Sequence, residues 1–353
     1  MPTKINQLNP SELYEALVKN GVDYFCGVPD SLLSSFGFYL EDRVKNSHDI
    51  AINEGNAVAL AIGYYLATEK VPLVYMQNSG LGNAINPLVS LADPLVMGIP
   101  LLLLIGWRGQ SGKKDEPQHK KQGLITTKLL ADLDIPYVVL SSKNTEASQQ
   151  IASAMKDIRQ SHRPFALLVE DSTLAPSANH VNETKYTLSR EEAIKDVVNS
   201  LNSSDVVVAT TGKASRELFE HREKSGRKHD QDLLIVGGMG HASTIALAIA
   251  RQKLKRKVYC IDGDGAALMH LGALANIGSR EPMNFYHFII NNGTHESVGG
   301  QPTVAFDIDI PAIAKACGYK HTYLVADKSV LESTLQALKK VKGPVLVEVR
   351  VNN

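Results

Sequence analysis

The sequence predicts an α/β protein of two similar domains, each a doubly wound parallel sheet, with no third domain between them. Short apolar runs of strand length alternate with helix-length segments, which is typical of parallel sheets covered by helices. The stretch 174–188 lacks a periodic apolar face, so it predicts a linker between domains 1–173 and 189–353. The order of elements repeats on its two sides.

The two halves also keep nearly the same spacing. Segment 75–80 aligns with 259–264, and 104–106 aligns with 289–291, each time a strand and the turn after it. Residue identity between the halves is low, so chance apolar patterning is the alternative explanation. The chain is long enough for two domains with full cores in either case.

In the first half, Asn9-Pro10-Ser11-Glu12 predicts a capped helix that ends at Asn20-Gly21. A strand over 24–28 leads into a Pro-Asp-Ser turn, so Asp30 lies at the carboxyl end of a strand. The other predicted elements are a helix over 51–67 with Glu54 in its first turn, strands over 72–76, 100–105 and 165–170, a helix around Ile151, a glycine turn at Gly80 and Gly82, and a polar loop over 109–123.

The second half begins like the first, because Ser189-Arg190-Glu191-Glu192 predicts a capping box at the start of a helix. The elements predicted after it are strands over 206–209, 258–261 and 285–290, helices over 237–250 and 266–277, a glycine-acid turn over 262–265 and an Asn-Asn-Gly turn over 291–293.

Oxygen-bearing side chains follow two strands of the second half: Asp264 after one, Asn291 and Asn292 after the other. These turns share the carboxyl edge of an open α/β sheet, where ligands bind. Carboxylate, amide and carbonyl oxygens suit Mg2+, which shares its remaining positions with phosphates. Gly263 and Gly265 let the backbone approach a phosphate closely. The glycine-acid turn and the Asn-Asn-Gly turn together predict a site for a metal-bound diphosphate, although each motif alone is an ordinary turn.

The composition argues against several other classes of partner. Basic and acidic residues both number 37, so no net charge attracts nucleic acid or a membrane surface. The N-terminus lacks an apolar signal segment, and the longest apolar runs are too short to span a bilayer. The three cysteines lack metal-ligand spacing and favour buried thiols in a reducing compartment. We therefore expect a cytoplasmic protein that binds neither nucleic acid nor membranes.

The spacing of Gly263-Asp264-Gly265 and Asn291-Asn292 resembles the signature of thiamine diphosphate enzymes, and the whole chain resembles thiamine diphosphate-dependent 2-oxoacid decarboxylases. The resemblance implies that the first half binds the cofactor's aminopyrimidine and the second its diphosphate, with Mg2+. It also implies a small 2-oxoacid substrate and a homodimer or larger homo-oligomer with active sites between subunits. The short linker, with segments 27–31, 115–119 and 292–303, resembles the compact members that act on phosphonopyruvate or sulfopyruvate.

The resemblance also implies roles for individual residues of the second half. Asp264 and Asn292 match the metal ligands, Thr294 matches the position that offers a backbone carbonyl, and Asn291 is expected to be a turn-stabilising amide. Met239 matches the apolar residue on which the cofactor bends, with core packing as the alternative. The full set of cofactor-binding residues that it implies is Glu54, Gly238, Met239, Gly240, Gly263, Asp264, Gly265, Ala266, Asn292 and Thr294.

Four residues are expected to be catalytic by resemblance. Glu54 matches the acid that exchanges a proton with the pyrimidine ring and so promotes formation of the ylid. The alternative is a glutamate that merely complements a helix N-terminus. Asp30 and His119 match an acid and a histidine near the substrate, with a surface aspartate and a loop histidine as the alternatives. His295 lies one step beyond the metal site.

The implied reaction converts 3-phosphonopyruvate to phosphonoacetaldehyde and CO2, as in phosphonate biosynthesis. Sulfopyruvate decarboxylase and a non-catalytic cofactor-binding protein are the alternatives, whereas a nicotinamide dehydrogenase is disfavoured because no Gly-x-Gly-x-x-Gly opens a first βαβ unit. The anionic tail of the substrate needs cationic or hydroxyl donors. The candidates for them are Ser31, Arg108, Lys113, Lys114, Lys120, Lys121 and Thr303.

Overall fold

The structure, a computed structural model, describes residues 7–177 and 184–352. The chain divides into two units, Met1–His180 and Val181–Asn353. The division falls within the segment predicted as a linker, of which 178–183 lie outside the described residues. Both ends of this segment are packed, because Leu174 joins the core of the first unit and Leu188 that of the second. The limits 174–188 therefore stay a prediction.

In the first unit, the described residues form a parallel six-stranded sheet in the order β2-β1-β3-β4-β6-β5. Its strands are β1 (Phe25–Gly27), β2 (His48–Ile50), β3 (Leu73–Gln77), β4 (Leu102–Gly106), β5 (Tyr137–Val139) and β6 (Phe165–Val169). Its helices are α1 (Pro10–Lys19), α2 (Ser34–Arg43), α3 (Glu54–Thr68), α4 (Leu81–Pro87), α5 (Pro117–Asp132) and α6 (Asn144–Ser161). Helices α1, α2 and α6 cover one face. On the opposite face Cys26 lies against α3, its Sγ 3.3 Å from the Ala57 carbonyl oxygen.

The described residues of the second unit form a parallel sheet in the order β11-β12-β10-β9-β7-β8. Its strands are β7 (Val206–Ala209), β8 (Asp232–Leu234), β9 (Val258–Gly263), β10 (Phe285–Asn291), β11 (His321–Val325) and β12 (Val345–Arg350). Its helices are α7 (Arg190–Asn199), α8 (Lys213–Lys224), α9 (Ala242–Gln252), α10 (Asp264–Met269), α11 (Ala273–Arg280), α12 (Ile310–Ala316) and α13 (Lys328–Leu338). Numbered from its own first strand, this is the topology of the first sheet, so the predicted repetition of architecture is confirmed.

Local sequence explains where several helices begin. The Asn9 side chain accepts a hydrogen bond from the backbone of α1, and Glu12 accepts one from the Asn9 N–H at 3.2 Å. Ser189 and Glu192 form the same reciprocal pair at the start of α7. Both predicted capping boxes are therefore confirmed.

Four predicted elements differ from the structure. The predicted glycine turn at 80–82 is a 3-10 turn (Asn78–Gly80) that runs into α4 and a short π-helix (Leu88–Ala92). The polar loop over 109–123 ends at Pro117, where α5 begins. The helix predicted over 237–250 begins only at Ala242, because Gly238 and Gly240 have left-handed backbones with φ of +67° and +85°. The helix predicted over 266–277 is divided into α10 and α11 near His270.

No helix within residues 7–177 and 184–352 has both the length and the apolar character needed to cross a bilayer.

Candidate active site

The first unit has its candidate site at the carboxyl edge of the sheet, where the chain order switches between β1 and β3. Asp30 follows β1, Asn78 follows β3, and Arg108 follows β4. Asn78 fixes the turn at Arg108, since its amide donates to the Arg108 carbonyl at 2.9 Å and accepts from the Arg108 N–H at 3.1 Å. Such a switch point is where open α/β sheets bind ligands.

Asp30 is almost fully buried, with 1% of its surface exposed. Its Oδ2 accepts a hydrogen bond from the Leu32 N–H at 3.0 Å, whereas Oδ1 has no hydrogen-bond partner among the described residues. Burial raises the pKa of this carboxyl to about 6, and the Leu32 N–H and the Arg108 guanidinium only partly oppose the shift. Asp30 is therefore a buried acid with a free oxygen, and the surface alternative is wrong.

Arg108 and His119 are held by one carboxylate, that of Asp115. Arg108 donates to both of its oxygens, from Nε at 2.9 Å and Nη2 at 2.6 Å, and His119 Nδ1 lies 2.8 Å from Oδ1. The guanidinium holds the pKa of Asp115 well below its ordinary value. Arg108 Nη1 also donates to the Ser31 hydroxyl at 2.7 Å, which links the cluster to the turn of Asp30. His119 lies in the first turn of α5, and not in a loop.

Glu54 is the first residue of α3 and is 5% exposed. Its Oε2 accepts a hydrogen bond from the Asn83 amide at 2.7 Å. A Cβ atom at Gly80 would collide with the Glu54 carboxyl group, so the glycine gives this side chain its space. Glu54 stands at the start of α3, but the side chain that caps this helix is that of Asn53. The buried Glu54 carboxyl group is therefore not used as the cap.

The second unit brings the predicted metal ligands together at the carboxyl ends of β9 and β10. Asp264 is 3% exposed, and its Oδ2 accepts a hydrogen bond from the Thr303 hydroxyl at 2.6 Å. Burial raises the pKa of Asp264 to about 7, against hydrogen bonds from Thr303 and from backbone N–H groups. Asn292 and Thr294 are buried beside it, joined by a hydrogen bond from the Thr294 N–H to Asn292 Oδ1 at 3.2 Å.

Asn291 faces away from this group. Its amide donates to Glu348 Oε1 at 2.8 Å, and its Oδ1 accepts from the Gly293 N–H at 3.0 Å. These contacts are those of a turn-stabilising amide. Thr303, a candidate for the substrate tail, instead uses its hydroxyl on Asp264.

The side chains of Met239 and His295 both lie next to Gly265. A Cβ atom at Gly265 would lie 2.9 Å from the His295 ring and 3.3 Å from Met239 Cε, so a glycine is required at this point. A Cβ atom at Gly240 would likewise come too close to the His270 ring and the Ala266 carbonyl oxygen. Burial lowers the pKa of His295 to about 4, which keeps its imidazole neutral at physiological pH. The predicted Gly238-Met239-Gly240 and 263–266 segments thus meet in the folded chain.

A cavity of about 100 Å3 opens on this group of residues. Sequence reasoning missed several of the residues that line it. Arg190 and Lys213 both contact the carboxylate of Glu296, and the Asn292 amide donates to the same carboxylate at 3.1 Å. Other lining residues are Thr210, Thr211, Ala214, Ile290, Ser297 and Val298. In the sequence, Arg190 stood out only as a member of the predicted capping box over 189–192.

The oxygen cluster fits Mg2+ and a diphosphate. It offers the Asp264 carboxylate, the Asn292 amide oxygen and nearby backbone carbonyls, which are the ligand types that Mg2+ prefers. A second group of metal-type side chains, Cys260 and Asp262 on β9 and His287 on β10, is fully buried within the unit and does not line the cavity. The Asp264 group is therefore the better candidate for a metal that meets a substrate.

Comparison with known proteins agrees with this geometry. The family models that match are the thiamine pyrophosphate enzyme N-terminal TPP binding domain, over residues 11–130, and the C-terminal TPP binding domain, over residues 210–349. Phosphonopyruvate decarboxylase from Streptomyces viridochromogenes is 32% identical over 98% of this chain and 88% of its own.

Two further relatives are named for sulfopyruvate. Sulfopyruvate decarboxylase from Methanosarcina acetivorans is 28% identical over 95% of this chain and 89% of its own. The sulfopyruvate decarboxylase subunit beta of Methanocaldococcus jannaschii is 35% identical over 36% of this chain and 66% of its own. Together with the two sheets of the same strand order, these matches confirm the resemblance that segments 263–265 and 291–292 indicated. The chain belongs to the thiamine pyrophosphate enzymes, and among them to the decarboxylases.

Proposed function

We propose that the protein converts 3-phosphonopyruvate and a proton to phosphonoacetaldehyde and CO2, with thiamine diphosphate and Mg2+ as cofactors. The observation that carries this proposal is the 32% identity to a phosphonopyruvate decarboxylase over nearly the whole of both chains. The setting that we propose is phosphonate biosynthesis in the cytoplasm, where buried thiols such as Cys26 and Cys260 stay reduced.

Glu54 is proposed to act on the pyrimidine ring. When bound, thiamine diphosphate supplies a nucleophilic carbon and a ring that accepts the electrons released with CO2. Asn83 fixes Oε2 of Glu54, so the carboxyl group can hold a proton for a ring nitrogen in one orientation. In the second unit, Asp264, Asn292 and the Thr294 carbonyl would hold Mg2+, while Met239 would pack against the cofactor.

Asp30 and His119 are proposed to move the protons of the later steps. After CO2 has left, the reacting carbon must gain a proton before the aldehyde is released. A pKa of about 6 makes Asp30 a usable acid near neutral pH. Because Asp115 is ionised, the His119 Nδ1 must donate to it, which leaves Nε2 as the nitrogen that can exchange a proton. His295, neutral and buried beside Gly265, is proposed to contact the reacting group.

Arg108 and Ser31 are the proposed ligands of the phosphonate tail. They are joined at 2.7 Å and lie next to Asp30 in a partly buried cluster. The alternative donors, Lys113, Lys114, Lys120 and Lys121, are exposed, and Lys113 pairs with Glu170 at 3.4 Å. A guanidinium that is already oriented by a carboxylate loses little freedom when it binds an anion.

The test is aldehyde formation from phosphonopyruvate, sulfopyruvate and pyruvate, each with and without thiamine diphosphate and Mg2+. We expect cofactor-dependent turnover that strongly prefers phosphonopyruvate. Preference for sulfopyruvate would instead favour the activity for which the 28% identical relative is named. Cofactor binding without turnover of any of the three acids would identify a non-catalytic binding protein.

Replacing Asp30 by Asn is expected to stabilise the protein, and to do so more at high pH. The folded carboxyl has a pKa of about 6, compared with 3.8 for an unperturbed one, so burying its charge costs stability increasingly as the pH rises through this interval. At pH 8 the cost is on the order of 3 kcal/mol, and below pH 4 it vanishes. Thermal melts at pH 4.5 and pH 8 check this. Asp132→Asn, at an exposed site, is the control, and an equal Tm change at both pH values for Asp30→Asn would contradict the assignment.

We propose that the protein is a homo-oligomer. Five apolar side chains lie exposed along one segment of the first unit: Val89, Leu91, Leu95, Val96 and Met97. Leu95 is 95% exposed, and burying such a patch against another copy would remove considerable apolar surface from water.

Leu95→Asp is expected to lower the molecular mass in solution to that of the monomer, because a charge in an apolar interface is strongly unfavourable. Light scattering coupled to size exclusion measures the mass. Leu254→Asp is the matched control, since Leu254 is 77% exposed but lies between Lys253 and Lys255. A monomeric wild-type protein would refute the proposal.

A further inference from the structure

Two cations in the second unit converge on a single carboxylate. Arg190 and Lys213 are the first residues of α7 and α8, and both form ion pairs with Glu296. The other edge of the Arg190 guanidinium is taken by Glu217, with Nη2 to Oε1 at 2.6 Å. Lys213, whose side chain is 44% exposed, has no second carboxylate in the ion pairs of the described residues.

The Glu296 carboxylate also lies beside the proposed Mg2+ ligands. The Asn292 amide donates to its Oε2 at 3.1 Å, and Glu296, Arg190 and Lys213 line the same cavity as Asp264. The Glu296 side chain therefore occupies the end of the cavity where Arg190 and Lys213 lie, and the rest of the cavity suits a phosphate.

We propose that Arg190 and Lys213 form a binding site for the terminal phosphate of a diphosphate, and that the Glu296 carboxylate occupies this site until the ligand displaces it. The inference rests on the proposed function for the identity of the ligand. Beyond that function, Arg190 and Lys213 are assigned as cationic ligands of the phosphate, and Glu296 as an anion of the protein that competes with it.

Electrostatics gives the direction of the effect. A diphosphate brings more negative charge than one carboxylate, so it would interact more strongly with Lys213 and with a Mg2+ ion held by Asp264. If Glu296 stayed in place, its charge would repel the phosphate across a partly buried site, where screening is weak. Removal of the carboxylate should therefore strengthen binding, although it also removes two ion pairs from the folded protein.

The experiment measures binding of inorganic diphosphate and of thiamine diphosphate, each with Mg2+, by calorimetry. We expect Glu296→Gln to bind both ligands about threefold to tenfold more tightly, because the competitor is neutral. Lys213→Met should bind both about tenfold more weakly, since a charged donor is lost. The matched controls are Glu220→Gln and Lys224→Met on α8, whose side chains are 61% and 67% exposed and which should leave both affinities unchanged.

Unchanged or weaker binding by Glu296→Gln, with a normal thermal melt, would overturn the inference and leave Glu296 as a structural ion-pair partner. Unchanged binding by Lys213→Met would overturn it as well. The wild-type protein separates this failure from failure of the proposed function. If it binds thiamine diphosphate but the variants do not differ, only the inference fails, whereas a wild type that does not bind thiamine diphosphate would refute the proposed function.

Discussion

Asp264→Ala is expected to abolish Mg2+-dependent binding of thiamine diphosphate. The substitution removes the only carboxylate among the proposed metal ligands, and the Asn292 amide and the Thr294 carbonyl bring no formal charge to replace it. Affinity should fall by about a hundredfold or more, as expected when a charge-paired group is lost from a buried site. Calorimetric titration with thiamine diphosphate, in the presence of Mg2+ or of EDTA, measures the loss.

Asp327→Ala is the control for this variant. Asp327 caps α13 on the surface of the same unit and takes no part in the cavity. It should lose some stability but keep the affinity of the wild type. Unaltered, Mg2+-dependent binding by Asp264→Ala would remove Asp264 from the metal site and would direct attention to the buried group of Cys260, Asp262 and His287.

Glu54→Gln is expected to lose turnover while it still binds the cofactor. The amide has nearly the same shape, and Asn83 can still donate to its carbonyl oxygen, but it cannot exchange a proton with a ring nitrogen. General acid–base catalysis contributes about 10²- to 10⁴-fold to rate, so kcat should fall within that range. Steady-state kinetics with phosphonopyruvate, compared with calorimetric cofactor affinity, checks both parts of the expectation.

Full turnover by Glu54→Gln would refute the proposed role of Glu54. Asn83→Ala gives a second measurement, because it keeps the carboxyl group and removes only the contact that orients it. We expect an intermediate decrease in kcat for Asn83→Ala. Glu69→Gln at the exposed end of α3 should behave as the wild type.

The sequence was most informative where contacts are local or patterns are strong. The central strands β3, β4, β9 and β10 consist mostly of apolar residues, and each capping box, at Asn9 and at Ser189, lies within four residues. The turn residues Asp264 and Asn292 follow such strands, so topology alone brings them to one edge. The short strands β2 and β8 have three residues each and partly polar surfaces, and nothing in their sequence distinguishes them from loops.

The charge networks were not predictable, because their members are distant in the chain. Arg190 and Glu296 are separated by 106 residues, and neither shows a local pattern that indicates the other. Asp115 and His119 are only four residues apart, but both lie within the loop predicted over 109–123, where this spacing does not predict a contact. Gly80 was predicted to make a turn, yet its significance is the space that it leaves for Glu54.

The two units have separate cores and the same strand order, but they are parts of one polypeptide. Covalent attachment fixes their ratio at one to one in every molecule that is synthesised. It also sets the local concentration of each unit near the other by the length of the connection, independently of how much protein the cell contains. Dilution can therefore separate one copy of the chain from another, but it cannot change the proportion of first units to second units available for assembly.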